Sequence, residues 1–490
     1  MKKLSKFLIL FNLSLLLISN NIYAESFRLM DAATRAQKVN KGIAVSQKKL
    51  DSKEKAVSSA IGRYFPNVVL DFSYIHLNDE VGISLNPIKD AIVELQARDQ
   101  VSLLNLQSLI STGTPLSAEM QQLVQQQAKI KLNEALPDFY AKLKPQSYPM
   151  LTLTVTQPIF TGLKIPNAVT AAKSQRDMEV VSQQQTIAQT NIEVIDYYLN
   201  LLLAKENLKV RQEVYDGILK HKNRAETLLE TGVIQMNQKL RADVSLAEAE
   251  KNLFEAGELL NIAKIALASV IETKADDLKA SDTLIYINLD KDLSSFLSTL
   301  KTKNLNLQQI SSAKKALEAK ANVSFADYLP TIGAFGTYQF IDKGLSVLDP
   351  KWAIGAKASW TVFNGLQRSN NYQSAKLEAE AMDDMQDEAT RKLELLVRKQ
   401  YLQMQVSEKS YRMLEASLEQ AKENELIANK RFETGVGTSF DVIDAELQLE
   451  GIKLNRLKEL KEYYKNMADL YNTINSLDEF INFWTANQIY

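Results

Sequence analysis

The sequence contains no cysteine and only two histidines, His76 and His221, among its 490 residues. Without cysteine the chain cannot form a disulfide framework, a thiolate metal site or a thiol nucleophile. A solitary histidine is more often a structural or surface residue than a ligand, and we interpret both histidines in that way. Because these shortages leave no candidate catalytic, cofactor or metal site, the sequence predicts a protein other than an enzyme.

A predominance of one sign of charge is also lacking. The 58 lysine and arginine residues nearly balance the 59 aspartate and glutamate residues, and the formal net charge is −1 at pH 7. Proteins that bind nucleic acid usually present a basic face, which a near-neutral chain does not favour. We therefore expect no nucleic-acid partner.

Long hydrophobic runs are missing after the N-terminus. Three lysines precede the apolar run 7–18, and Ala24 supplies the small residue at the end of a cleavage site. This order is typical of a secretory signal peptide, and the run is too short to cross a bilayer as a helix. We predict that residues 1–24 are a signal peptide and that any part of the protein within a membrane consists of strands.

Proline is scarce, and none of the ten prolines lies within 167–329 or 351–490. These ranges are rich in alanine, leucine, glutamine, glutamate and lysine, which favour helices. From Ile187 to Leu208 apolar residues recur every seven positions, which is typical of coiled-coil packing. The predicted helices are 26–63, 167–230, 235–272, 292–327, 368–434 and 438–476, with 275–289 non-helical.

Alternation of apolar and polar residues predicts four strands. The sequence Leu151–Thr156 alternates leucine or valine with threonine, a pattern suited to a strand between lipid and water. Trp352–Val362 alternates in the same way. The predicted strands are about 67–77, 148–160, 331–341 and 351–363.

The two halves of the chain follow one plan. The glycines after the second strand of each half are 203 residues apart (365 − 162 = 203), and so are the glycines between the predicted helices (435 − 232 = 203). A constant offset at two markers predicts two internal repeats, 25–287 and 288–490. The helical turns at 232 and 435 are then equivalent tips.

The repeats differ by an insertion in the first. From Pro66 to Gly162 the chain takes 162 − 66 = 96 residues, whereas the equivalent segment of the second repeat takes 365 − 330 = 35, a difference of 61. We predict that this segment, about 82–145, faces outward and contains helices over 88–110 and 117–136. An external cap, a receptor-like surface, a lumen plug and a tolerated surface elaboration remain open.

Four strands per chain are too few to close a membrane barrel, because the smallest such barrels use about eight. An open sheet edge is not tolerated in lipid, where its backbone groups would lack hydrogen-bond partners. The chain is therefore predicted to be a homo-oligomer, and this argument allows either two or three copies. Helices of the predicted lengths give a tube about 100 Å long, sufficient to cross a periplasm.

Several motifs resemble those of the TolC family of outer-membrane efflux proteins. They are the strand ends QPIFTG and WTVFNG and, most specifically, the turn TGVGTSFDVIDAE at 434–446. The resemblance covers nearly the whole chain after the signal peptide. It implies a mainly α fold with a small β-barrel part: a homotrimer with a twelve-stranded barrel in the outer membrane and a periplasmic α-barrel of long antiparallel coiled-coil helices.

The resemblance also implies a gate at the periplasmic tips. Acidic residues after the second turn line the entrance in this family, and Asp441 and Asp444 match those positions. Six carboxylates around one constriction would attract cations. Asp441 has an alternative role in complementing the dipole of its helix. The position facing them after the first turn, often acidic in the family, is Gln238 here.

Two residues of the family's closing network are replaced here by Phe432 and Gly437. We therefore predict a closed state that depends more on coiled-coil packing than on salt bridges. Periplasmic adaptor and inner-membrane transporter proteins dock at the tips of family members. We expect small, exposed tip residues to contact the adaptor, although simple turn chemistry explains them equally well: Gly232, Val233, Gly435, Val436, Gly437, Thr438 and Ser439.

Aromatic residues on the strands suggest a girdle at the lipid–water boundary. Plain strand packing is the alternative. The four residues are Tyr74, Tyr338, Trp352 and Trp360.

The predicted function is an outer-membrane channel-tunnel that exports small molecules as the exit duct of a tripartite pump. A duct for type I protein secretion is an alternative within the family. A non-conducting periplasmic coiled-coil scaffold or adhesin is an alternative of another class, but it leaves the four alternating strands and the matched glycine turns unexplained.

Overall fold

The computed structural model describes residues 25–346 and 348–488. The predicted signal peptide, 1–24, lies outside the described residues. The chain divides into two compact units. The first comprises the described residues up to Ser58, Ala168–Ala321 and the described residues from Gln373 onward, and the second comprises Ser59–Asn167 and Asn322–Tyr372.

Helices dominate the chain, with short strands in both units. The elements in chain order are β1 (Glu25–Phe27), α1 (Leu29–Val39), α2 (Lys41–Gly62), β2 (Asn67–His76), β3 (Val81–Ser84), α3 (Asn86–Thr112), α4 (Ala118–Ala135), β4 (Tyr140–Lys144), β5 (Ser147–Phe160), α5 (Lys164–Glu230), α6 (Met236–Val270), β6 (Leu278–Ala280), α7 (Leu293–Lys303), α8 (Leu305–Phe325), β7 (Thr331–Gln339), β8 (Trp352–Ser359), α9 (Gln367–Glu433), α10 (Ser439–Thr473) and α11 (Leu477–Ala486).

The four longest helices repeat in length. Helices α5 and α9 each contain 67 residues, and α6 and α10 each contain 35. At about 1.5 Å per residue, α5 and α9 are each about 100 Å long. The prediction of a mainly helical fold with two internal repeats is confirmed. None of the helices among the described residues is apolar enough over a sufficient length to cross a membrane.

Two of the predicted single helices are wrong, because each is divided by an asparagine. The chain leaves helical geometry at Asn40, and its side-chain oxygen accepts a hydrogen bond from Ile43 N–H at 3.1 Å. Asn304 does the same with Leu307 N–H at 3.0 Å. Asparagine at such a position ends one helix and caps the next, which periodicity does not reveal.

The core of the first unit contains elements that the sequence did not predict. Strand β6, within a segment predicted to be non-helical, pairs in parallel with β1, and α11 follows α10. Buried Asp282 joins the start of α1 to α11. Its carboxylate accepts hydrogen bonds from Leu29 N–H at 3.1 Å and Trp484 Nε1–H at 2.9 Å. Tyr198 on α5 donates to Phe27 O at 2.9 Å.

A four-stranded antiparallel sheet with the order β2-β5-β7-β8 organises the second unit. Its register runs from Asn67 opposite Thr156 to His76 opposite Ser147 across the first pair. Within one chain the outer edges of β2 and β8 have no partner strand among the described residues. The barrel is therefore not closed by a single chain.

The alternation of residues predicted Trp360 on the fourth strand. Strand β8 ends at Ser359, however, so Trp360 lies beyond it. The ladder stops there because Ser359 pairs with Thr331, the first residue of β7, which follows Pro330. The Trp360 indole N–H instead donates to Tyr328 O at 3.0 Å.

The insertion between β2 and β5 has a strand stem and a helical end. Strands β3 and β4 form an antiparallel hairpin stem, which the sequence did not predict. Helices α3 and α4 follow as an antiparallel pair, close to the two predicted helices.

Candidate functional site

The first tip joins α5 to α6. Gly232 lies in the turn, and Val233 N–H donates to Leu228 O at 2.8 Å. This hydrogen bond satisfies a carbonyl in the last turn of α5. Ile234 packs inward, while the residue that caps α6, Gln235, makes no side-chain cap hydrogen bond. The tip is therefore closed mainly by backbone hydrogen bonds and apolar burial.

The second tip joins α9 to α10 by a turn of the same length. Gly435 has φ of +74°, and Val436 and Gly437 N–H both donate to Arg431 O at 3.0 and 2.9 Å. Side chains disfavour a positive φ of this size. An added Cβ at Gly435 would lie 3.0 Å from Val233 Cγ1. Glycine at this position is required both by the turn and by the close approach of the two tips.

A capping box begins α10. Thr438 N–H donates to Asp441 Oδ2 at 2.8 Å, and Asp441 N–H donates to Thr438 Oγ1 at 3.3 Å. Such a reciprocal pair satisfies two backbone donors at the start of a helix. The hydrogen bonds from the Thr438 backbone and side chain hold the pKa of the Asp441 carboxyl below its ordinary value. Asp441 thus completes the capping box of α10 from the first turn of the helix. The dipole complementation given for it as an alternative stays an expectation.

The two tips share one apolar core and one polar contact. Phe432 of the second hairpin is fully buried together with Ala225 and Ile234 of the first. Ser439 N–H donates to Gln238 Oε1 at 3.2 Å, which joins the first turn of α10 to the first turn of α6. Gln238 therefore contacts the second tip directly through Ser439. Its position facing Asp441 and Asp444 stays a prediction.

His221 on α5 lies at the centre of this contact. It is 4% exposed; its Nε2 is 2.7 Å from Ser439 Oγ, and its ring is 4.6 Å from the Phe432 ring. Burial lowers the pKa of His221 to about 4, and the positive charge of Arg224 contributes. The imidazole is therefore neutral at pH 7. Its Nδ1 is buried without a hydrogen-bond partner.

A polar cleft of about 600 Å³ opens beside His221, lined by residues of α5, α9 and α10 that include Glu425 and Glu446. Glu446 lies against Gly217 of α5, where an added Cβ would come within 2.7 Å of its Oε1. Burial, together with the nearby negative charge of Glu425, raises the pKa of Glu446 to about 7.

Ion pairs also connect the two hairpins along their length. Arg211 Nη1 lies 2.5 Å from Glu450 Oε1, and Lys453 Nζ lies 2.9 Å from Glu213 Oε2. Arg224 pairs with Glu433 beside the tip. Salt bridges thus join the hairpins within one chain. The prediction that packing dominates the closed state concerns the assembly and stays a prediction.

The two predicted gate acids have different hydrogen-bond partners. Asp441 and Asp444 are both exposed. Asp441 contacts Thr438, whereas Asp444 Oδ2 accepts a hydrogen bond from Gln448 Nε2 at 2.8 Å, one turn further along α10. Both carboxylates are solvent-exposed in the single chain, and their role as a gate stays a prediction.

Not all of the predicted tip residues are exposed. Val233 and Val436 are, at 53% and 71%. Ser439 is 0% exposed and Gly437 is buried, so the expectation of exposure is wrong for these two. The reason is that Ser439 begins α10 facing His221, while Gly437 packs against the backbone of Arg431. Contact with an adaptor stays a prediction for the tips.

The four predicted girdle residues are exposed side chains of the second unit, which leaves their role a prediction. Tyr338 and Trp352 are register partners on β7 and β8. Tyr74 pairs with Pro149. Trp360 lies at the opposite end of β8 from Trp352.

Sequence reasoning interpreted His221 only as a structural or surface residue and did not single out Glu446. Their signal is weak, because an isolated histidine and a glutamate among many on a helix are common. Only the packing of α5 against α10 identifies them. Among the described residues, no group of three or more His, Asp or Glu side chains is arranged to hold a metal ion.

Solved structures share this fold. VceC of Vibrio cholerae is 16% identical with a TM-score of 0.64, over 93% of this chain and 95% of that one. CmeC of Campylobacter jejuni is 13% identical with a TM-score of 0.65, over 92% and 86%. The open state of MtrE of Neisseria gonorrhoeae is 16% identical with a TM-score of 0.66, over 92% and 89%. All three are described as outer-membrane proteins or channels.

The paired helical hairpins and the open four-stranded sheet belong to one class of protein: an outer-membrane channel with a helical tunnel in the periplasm. Residues 113–272 and 296–476 match the family described as outer membrane efflux protein, and the chain belongs to that family. No curated protein sequence matches the chain. The chain is thus an outer-membrane efflux duct.

Proposed function

We propose that this chain is the exit duct of a tripartite pump that exports small molecules across the periplasm and outer membrane and is gated at the helix tips. The match to the efflux family over both repeats carries the proposal. A periplasmic adaptor and an inner-membrane transporter are its partners. They supply the energy, as the resemblance to the efflux family implies.

The assembly is a homotrimer. Three copies contribute twelve strands, and the unpaired edges of β2 and β8 become the junctions between copies. Tyr74, Tyr338, Trp352 and Trp360 form the girdle at the lipid boundary. The two repeats, 25–287 and 288–490, follow a signal peptide over 1–24.

The gate consists of Asp441 and Asp444 with Gln238 beside them. Three copies bring six carboxylates around one entrance, where their combined field attracts cations. Asp441 also caps α10, so its carboxylate is fixed in direction rather than free to rotate. This fixed orientation supports a stable ring rather than a set of mobile charges.

The adaptor contacts the exposed part of the tips, namely Gly232, Val233, Gly435, Val436 and Thr438. Val233 and Val436 are the best anchors, because they are apolar and lie exposed at the turns. A Val436→Cys variant is therefore the appropriate crosslinking probe, and Ser439→Cys, being buried, is the matched negative control.

Conductance in planar bilayers tests the gate. Purified protein is expected to conduct, with selectivity for cations and block by polyvalent cations. Asp441→Ala combined with Asp444→Ala should weaken both selectivity and block. Glu419→Ala combined with Glu423→Ala, two exposed acids of α9, is the control and should retain them. Unchanged selectivity and block in the aspartate variant would remove the gate assignment, and protein that never conducts would remove the duct.

A further inference from the structure

Helices α3 and α4 form a packed helical hairpin. Val93 and Ala97 of α3 and Ala128 of α4 are buried in this pair of packed helices. Glu94 Oε1 accepts hydrogen bonds from Arg98 Nε at 2.9 Å and Gln125 Nε2 at 3.0 Å, which joins the helices. The two helices therefore have a defined inner face.

The base of this hairpin is fixed to the strand stem. Lys89 Nζ is 3.1 Å from Asp138 Oδ1, and Lys89 is buried. Phe139 N–H donates to Asn86 Oδ1 at 2.9 Å, while Leu85 N–H donates to Phe139 O at 2.7 Å. These contacts hold the hairpin as a continuation of β3 and β4.

Helix α3 carries a second apolar face that nothing in the described part of this chain covers. At about 3.6 residues per turn its members fall within about 80° of one another, on the side away from the small residues that face α4. All are exposed, and Ile110 reaches 78%. The apolar stripe, as we name it, consists of Ile88, Leu95, Leu103, Leu106 and Ile110.

Lipid does not account for the apolar stripe. The register of β2 with β5 spans ten residue pairs, from Asn67 to His76. Ten residues give about 33 Å along the strand, or about 25 Å along a barrel axis at the usual tilt, which is the height of the apolar band. The hairpin follows after a further strand stem and therefore lies beyond that band, where water or protein surrounds it.

Continuity with the barrel favours a second copy of this chain as the cover. This step rests on the proposed oligomeric duct: each copy then carries one hairpin at the same rim, at an effective concentration in the millimolar range. The charges over 86–136 nearly cancel, four basic against five acidic residues (4 − 5 = −1). Copies therefore repel one another little.

We propose that the apolar stripes of neighbouring copies pack together around the symmetry axis and form a helical constriction over the outward end of the barrel. Each apolar stripe is thus covered by the apolar stripe of another copy of this chain. The channel then has two barriers, one at the helix tips and one at the outer rim.

Crosslinking of single-cysteine variants tests the contact, because the natural chain has no cysteine. Leu106→Cys is the probe. Gln107→Cys is its control, also exposed but about 100° around the helix. In a rotationally symmetric trimer a residue meets its own copies only near the axis. A short bis-maleimide should therefore give dimers of this chain from Leu106→Cys and almost none from Gln107→Cys, because one cysteine per chain can be joined to only one other. Equal yields, no product, or a product containing only another protein overturns the proposal.

Conductance tests the constriction separately from the duct. A crosslinker with a reducible spacer should reduce the current through Leu106→Cys and restore it on reduction, and it should not change Gln107→Cys. Crosslinked protein with undiminished current overturns the constriction. If uncrosslinked protein carries no current, the proposed duct fails, while crosslinking at Leu106→Cys still decides whether the stripes meet.

Discussion

The two helix tips occupy equivalent places in the repeats but are stabilised differently. The first has no side-chain cap at Gln235, whereas the second has the Thr438 capping box. Yet the first supplies Gln238, which accepts the hydrogen bond from buried Ser439. The comparison teaches that the second tip is ordered within itself, while the first is ordered by its contact with the second. A gate that opens by separating the hairpins should therefore release the first tip more than the second.

The largest effect is expected from the shared apolar core. Phe432→Ala removes a fully buried ring beside His221. The loss should destabilise the paired tips by about 3–5 kcal/mol. The measurement is the urea concentration at which a protease begins to cut within 221–242. Val436→Ala, at an exposed position, is the control. Equal sensitivity of both variants would contradict a common core.

A pH effect is expected where α10 meets α5. The pKa of Glu446 is raised from 4.5 to about 7, so the folded tip holds this proton more strongly than the unfolded chain. The resulting stability is fully present below about pH 4.5 and is lost as pH rises through about 7, by about 2 kcal/mol after allowance for solvent screening.

Glu446→Gln should abolish this pH dependence, as followed by hydrogen exchange of the tip amides between about pH 5 and pH 8. Asp444→Asn, which alters an exposed carboxyl, should leave the dependence intact. Identical profiles for the natural protein and Glu446→Gln would exclude this carboxyl as the source.

Replacing the two aspartates of the second tip should destabilise it by different amounts, because their local contacts differ. Asp441→Ala loses the capping box and should destabilise the start of α10 by about 1 kcal/mol. Asp444→Ala loses only the contact with Gln448. A side-chain pair of this spacing on a helix contributes about 0.3 kcal/mol. Protection of the amides over 438–442 against hydrogen exchange reports both. A larger loss for Asp444→Ala would reverse the assignment of the cap.

The smallest expected effect tests whether the first tip depends on its contact with the second. Gln238→Ala removes the acceptor for Ser439 N–H. Loss of one such hydrogen bond at a partly buried site should cost about 0.5 kcal/mol. If the first tip depends on this contact, faster exchange should appear over 231–240 as well as at Ser439. Asn237→Ala, an exposed neighbour, should change neither. Loss of protection at Ser439 alone would mean that the first tip orders itself.

The helices and their repeat were largely predictable because they follow from local rules. The absence of proline, the heptad recurrence and the constant glycine offset anticipated α5 and α9 within three residues at each end. The breaks at Asn40 and Asn304 were not predictable, because an asparagine within a helical pattern can also lie inside a continuous helix. Strand β6 and helix α11 were missed because short elements depend on a core built by distant segments.

At the candidate site, the sequence identified the turns and the acids but not their environment. Asp441 was recognised both as a gate acid and as a possible dipole partner, and the structure adds its capping box. Ser439 was expected to be exposed because it is small and follows a turn. It is buried because helix α10 begins with that face toward His221.

By itself the sequence determined the length of the helices, the place of the two glycine turns, the strand alternation and the family resemblance. These properties depend on neighbouring residues or on fixed spacing. Only the tertiary structure decided that Gln238, Ser439 and His221 form one contact, that Glu446 occupies the space beside Gly217 and that the insertion has two apolar faces. Such properties depend on which helix faces meet, because desolvation and hydrogen-bond partners are set by residues hundreds of positions apart.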